Sequence, residues 1–218
     1  MALSVLVRAG RRARDALGSA VTSRYPDGVA FTDNDGERRF FDALEHAGRY
    51  FMGTSDVHAA LERLVRALDE AEIPYAIAGA LALGEHGYRR TTDDVDVLLT
   101  PAGLRRFKEL RLGRGYLEKF PGSKGLRDTA ANVGIDVLLT GDYPGDGKPK
   151  PVRFPDPAVV AVRGEHVALL PRNTLIELKL ASGMTAPHRL RDLADVLELI
   201  RRADLPRADC DDPILPEE

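Results

Sequence analysis

The pentapeptide DVLLT occurs twice in this chain, at Asp96–Thr100 and at Asp136–Thr140, and each copy sets an acid at the head of an apolar run. Short apolar runs bounded by turn formers read as strands buried on at least one face. The first run begins earlier, as DDVDVLLT from Asp93. Side chains alternate along a strand, which puts Asp94 and Asp96 on one face and Val95, Val97 and Leu99 on the other. Two carboxylates then stand about 7 Å apart, on a half-buried surface that solvates charge poorly. If the two strands are neighbours, Asp136 joins them. A divalent cation turns the mutual repulsion into attraction, and magnesium suits hard oxygen ligands, keeping waters and substrate phosphates as the others. Three such acids fit a centre of two Mg²⁺ ions ~3.5–4 Å apart (Mn²⁺ being the alternative), clamping the attacking and leaving oxygens of a phosphoryl transfer. Solvated turn caps are the other reading of such acids, and Asp93, of opposite parity, takes it.

The remaining pattern places these strands in an α/β chain. SDVHAALERLVRALDEAEI carries apolar Val57, Ala60, Leu61, Leu64, Val65 and Leu68 at helical spacing, with Ser55 or Asp56 as N-cap, and Pro74 ends it. YAIAG is a short strand; ALALGEH opens a helix directly after Gly79, with Gly87 as its stop. LRRFKELRL reads as a helix, residues 121–125 as a loop, and GDYPGDGKPKP as a mobile connector. HVALL reads as a strand and PRNTLIELKLASG as a helix with a Thr174/Glu177 capping box. HRLRDLADVLELIRR is a last helix, apolar at Leu190, Leu193, Ala194, Leu197 and Ile200. The expected organisation is an appendage at 1–52 with one hairpin around DNDG, a core at 53–155 on a small mixed sheet, a strand and added C-terminal helices at 156–203, and an acidic tail at 204–218.

The turn at Gly79 joins a strand to a helix N-terminus, where free amides can donate to a phosphate. Arg89 and Arg90, a few residues before the aspartates, can neutralise a triphosphate, and Thr92 lies beside them. An ordinary strand-to-helix turn with two surface arginines is the alternative.

The stretch from Ala78 to Asp96, A-G-A-x-A-L-x-x-x-G-Y-x-R-x-T-x-D-V-D, resembles the nucleotidyltransferase fold of the DNA polymerase β superfamily. The resemblance implies a glycine turn at Gly79-Ala80, a D-x-D strand at Asp94 and Asp96, and a third aspartate at Asp136. It further implies attack of a substrate hydroxyl on the α-phosphate of a nucleoside triphosphate such as ATP, with magnesium bound and pyrophosphate released. Ala80 departs from members with serine there, since alanine has no hydroxyl for a phosphate. The helices LIELKLASG…HRLRDLADVLELI extend the likeness to bacterial abortive-infection nucleotidyltransferases (AbiEii-like), where a lysine helix precedes an aspartate helix; the matching positions are Lys179 and Asp192. On a helical wheel Lys179 falls on the apolar side, between Leu175 and Ile176, so it must snorkel or meet an anion. Asp192 flanks the apolar stripe of its helix, whereas Asp195 points away from it and can pair with Arg191.

Composition narrows the function further. The chain has 218 residues, 44% hydrophobic and 30% charged, with a formal net charge of −3, which argues against a surface devoted wholly to gripping nucleic acid. Its one cysteine excludes a disulfide framework and points to a reducing cytoplasm. The five histidines show no metal-ligand spacing. No apolar run approaches the ~18–20 residues that span a bilayer. These features lead to the expectation of a nucleotidyltransferase acting on an RNA or protein hydroxyl, as the toxin of a toxin–antitoxin pair with an antitoxin partner. The alternatives are a nucleotide- or partner-binding module without turnover, and an enzyme modifying a small molecule such as an antibiotic.

Overall fold

A computed structural model describes residues 34–164 and 166–202; the first 33 residues of the expected appendage and the expected acidic tail lie outside these residues. The chain divides into two compact units, residues 1–46 and 47–218. Helix α1 (Asn34–Phe51) starts inside the sequence expected to form a hairpin. Residues 37–51 contain no Val, Ile or Thr, so local propensity favours the helix and DNDG marks its start rather than a β-turn.

In the second unit, α2 (Asp56–Glu70) buries Leu64 and Leu68. Its N-cap is Ser55, although the Ser55 hydroxyl is spent on His58 Nδ1 at 2.8 Å. Strand β1 (Tyr75–Ile77), helix α3 (Gly79–Glu85), strand β2 (Asp94–Leu99) and helix α4 (Pro101–Arg111) follow. Thr100 caps α4 by accepting from the Gly103 amide at 2.9 Å, and Pro101 stands at its first turn. Next come β3 (Tyr116–Glu118), β4 (Leu126–Asp128), β5 (Val133–Leu139), the short helix α5 (Pro157–Val160), β6 (Val162–Arg163) and β7 (Ala168–Leu169). Helices α6 (Arg172–Thr185) and α7 (Leu190–Arg201) complete the described chain, joined by a 3₁₀ turn (Pro187–Arg189). Among the described residues no helix is long and apolar enough to cross a membrane.

The strands form one seven-stranded mixed sheet in the order β3-β4-β5-β2-β1-β7-β6. Its centre is the pair of DVLLT strands, parallel and in register, with Asp96 opposite Asp136 and Leu99 opposite Leu139. Val95, Val97, Ile135 and Val137 are buried in one core with Leu64 and Leu68 of α2 and Phe107 of α4. Fully burying a side chain of this size stabilises by about 1.5–3 kcal/mol. Slipping β2 by one residue would expose that set and bury the acids instead, so the core fixes which face the aspartates occupy.

Three local expectations need correction. The β3–β4 hairpin was not foreseen, because its strands have three residues each and leave no periodic signal. The 141–151 connector is fastened rather than mobile. Lys150 Nζ donates to Pro144 O at 2.6 Å, Asp146 Oδ1 at 2.6 Å and Thr185 Oγ1 at 3.0 Å, which ties the loop to α6. Finally, α6 begins at Arg172 after Pro171, with no side-chain cap, so Thr174 lies within the helix and the capping box does not form.

Candidate active site

Gly79 determines how closely the first turn approaches the acids. Its φ is +58°, a conformation that L side chains rarely adopt. A Cβ there would overlap Asp96 Oδ2 and lie 2.6 Å from Asp96 Cγ. The Asp96 carbonyl accepts the Ala78 amide at 2.9 Å, locking the turn to the acidic strand. Gly79, Ala80 and Leu81 open α3, where their amides have no carbonyl one turn back to bond within the helix. Ala80 itself is buried.

The three acids share one face across two adjacent strands. Asp96 is the most perturbed. Burial first, then the charges of Asp94 and Asp136, push its pKa up from 3.8 to about 6, against the pull of Lys179 and Arg90. Each neighbour is meanwhile held by a donor. Thr92 Oγ1 donates to Asp94 Oδ1 at 2.6 Å, and Lys119 Nζ donates to Asp136 Oδ1 at 2.5 Å. Among the described residues no group of three or more His, Cys, Asp or Glu side chains is placed so that it could hold a metal ion. The donor type, carboxylate oxygen on neighbouring strand positions, is the one a hard dication prefers.

Lys119 carries little sequence signal, because it follows β3, a three-residue strand that the pattern did not reveal. Its amide bonds to Gly125 O at 3.0 Å, and its stem crosses two glycines. A Cβ at Gly125 would come 3.0 Å from Lys119 Cδ, and one at Gly134 would come 3.3 Å from Nζ and 3.8 Å from Asp94 Cβ. The ammonium thus rests on a side-chain-free patch between Asp136 and Asp94. The alternation in YLEK and the Gly-Ser-Lys-Gly turn after it were the only hints.

Behind the acids stands a second charged layer. Lys179 is buried, with Nζ 2.8 Å from Asp195 Oδ2 and 2.9 Å from Asp192 Oδ1. Arg90 grips Asp195 with both arms, Nε to Oδ1 and Nη2 to Oδ2, each at 3.0 Å. The Arg90 guanidinium is held in its charged form: burial opposes this, and the hydrogen bonds and charge of Asp195 outweigh it. Asp192 also accepts from Ser182 Oγ at 2.7 Å. Burial would raise its carboxyl, but Lys179, Ser182 and Arg189 hold it below the usual range.

The expected orientation of α7 is therefore reversed. Asp195, Val196 and Leu199 face inward, with Asp195 wholly buried, while Leu190, Leu197 and Ile200 are exposed. Asp195 pairs with Arg90 and Lys179 rather than with Arg191. Two basic partners on other elements outweigh the apolar stripe, because an inward Arg90 or Lys179 without an anion would cost more than exposed leucines. The arrangement brings Asp94, Asp96, Asp136, Gly79, Lys179 and Arg90 into one electrostatic neighbourhood, with Asp192 bound to it through Lys179.

No protein-family model matches the chain, and no curated protein matches it in sequence. Solved structures similar to it include ANT(2'')-Ia in complex with adenylyl-2''-tobramycin, 12% identical with a TM-score of 0.45, over 66% of this chain and 88% of that one. An antigenic nucleotidyltransferase-like protein from Paracoccidioides brasiliensis is 17% identical with a TM-score of 0.41, over 66% of this chain and 74% of that one. A solution structure of ANT(2'')-Ia is 18% identical with a TM-score of 0.41, over 66% of this chain and 80% of its own. At such low identities and scores, the site's own geometry has to carry the functional conclusion.

Proposed function

We propose that this chain is a metal-dependent nucleotidyltransferase that moves a nucleoside monophosphate from a nucleoside triphosphate to a hydroxyl of RNA or protein. The observation that carries the proposal is the in-register pair Asp96 and Asp136, set against a Gly79 turn where an added Cβ would overlap the Asp96 carboxylate. Asp94, Asp96 and Asp136 would hold the dication, Mg²⁺ or Mn²⁺. When bound, it supplies the positive charge that offsets the triphosphate and the oxyanions developing on it.

The chain's own groups divide the remaining work. The amides of Gly79 and Ala80 donate to the β- and γ-phosphates. Thr92 orients Asp94. Lys179 and Arg90, anchored on Asp192 and Asp195, supply a fixed positive potential next to Asp96. The acceptor oxygen bonds to the α-phosphorus as the bond from that phosphorus to the α,β-bridging oxygen breaks. Pyrophosphate leaves with the bridging oxygen, and Asp136, released by Lys119, takes the hydroxyl proton. The paired lysine and aspartate helices support a toxin role with a small antitoxin as partner.

A binding module without turnover is the second reading, favoured by the missing hydroxyl at Ala80 and by acids already satisfied by Thr92 and Lys119. Transfer of α-labelled ATP, GTP, CTP and UTP to total RNA and to protein, with Mg²⁺, separates the two. Label that appears with wild type and disappears with Asp96→Asn supports transfer. Nucleotide binding with no label on any acceptor supports the second reading.

A further inference from the structure

On the reverse face of the sheet lies a cavity of about 190 Å³, lined by Arg63, Arg66, Arg111 and Arg114 together with Glu70 and Asp128. Its side of the sheet follows from register. Asp128 pairs with Val133, which shares the parity of Ile135 and Val137 and is therefore opposite to Asp136. The cavity is thus separated from the carboxylate site by the sheet itself.

Four guanidinium groups face two carboxylates here, and the two ion pairs leave many donors unspent. Arg63 uses Nε and Nη2 on Asp128, at 2.9 and 2.8 Å, leaving Nη1. Arg111 uses Nη2 on Glu70 at 2.6 Å and on Ala67 O at 3.5 Å, while its Nε is shielded from solvent, leaving Nη1. Arg114 makes only a long bond to Leu110 O at 3.5 Å, and Arg66 forms no hydrogen bond or ion pair to a described residue. The buried Tyr116 adds a phenol kept protonated, its pKa pushed up to about 12 by burial and then by Asp128. Asp128 and Glu70 hold two of the forks in place, so little orientation is lost on binding. Planar forks converging with excess positive charge match the tetrahedral oxyanion of a phosphate.

We propose that this arginine-lined cavity is a phosphate-binding site, distinct from the carboxylate site on the other face of the sheet. A free phosphate or phosphomonoester and the phosphodiester backbone of a nucleic acid present the same oxyanion. The assignment does not depend on nucleotidyl transfer.

The test uses the full-length ¹⁵N-labelled chain, titrated with inorganic phosphate at constant ionic strength, with amide shifts followed at Arg114, Gly115 and Ala130. Saturable shifts are expected. They should weaken about tenfold, a loss of 1.4 kcal/mol, when Arg66→Ser and Arg114→Ser remove two exposed charged donors together. Asp96→Asn should leave them unchanged. Short single-stranded RNA that displaces phosphate from the same amides identifies the backbone as the source; RNA that does not displace it identifies a small phosphate. Shifts that fail to saturate, that chloride reproduces, or that persist undiminished in the double variant overturn the assignment.

Discussion

Asp96→Asn isolates the electrostatic strain of the site without needing substrate or metal. In the folded chain the carboxyl of Asp96 has a pKa of about 6, against an ordinary value of 3.8. A folded pKa above the unfolded one means that the native state binds the proton more tightly. Ionisation therefore erodes stability as pH rises through the window from about 4 to about 6. The shift is about two units, and at 1.36 kcal/mol per unit it corresponds to roughly 2–3 kcal/mol of destabilisation once the acid is fully charged. Asparagine keeps the shape and carries no charge. In EDTA at pH 7.5 the variant should be more stable than wild type by about that amount, while the gap closes toward zero as the pH falls to about 4. Urea unfolding of both proteins at pH 4, 5, 6 and 7.5 measures this directly. A variant that is no more stable at pH 7.5, or a gap that does not change with pH, would refute the claim that Asp96 is held at a cost. A protein stabilised by neutralising an acid that the proposed transfer requires would fit the general trade of stability for function.

Two further substitutions probe the layers on either side. Asp195→Ala leaves Arg90 and the buried Lys179 without their shared anion and should cost about 3–5 kcal/mol in chemical denaturation; a cost below about 1 kcal/mol would make the pair a surface-like contact. Lys119→Met removes the tethered cation from Asp136 and should raise the affinity of the nucleotide-free chain for Mn²⁺, read by electron paramagnetic resonance, by about tenfold, equivalent to 1.4 kcal/mol; unchanged or weaker binding would show that the ammonium does not compete for that oxygen.

The acids were legible in the sequence because alternation put Asp94 and Asp96 on one face and the repeated DVLLT singled out Asp136; that the two strands are neighbours came only from the sheet. Gly79 was legible for a related reason: a lone glycine between a strand and a helix signals a backbone that must come close to something. What it approaches, Asp96 Oδ2, is a contact between elements. Lys119 was invisible, since a three-residue hairpin carries too little periodicity to announce itself and its ammonium meets Asp136 from a distant part of the chain. Asp195 was misjudged for the same kind of reason. A helical wheel weighs only the residues of its own helix, and the groups that draw Asp195 inward, Arg90 and Lys179, belong to other elements.

By itself, then, the sequence determined the two central strands, their buried faces and the acids at their heads, since period and propensity are local properties of a chain in water. The tertiary structure alone decided which charges neutralise which, because Coulomb energy depends on distance in space and on burial, and neither is set until the sheet and the last two helices have packed.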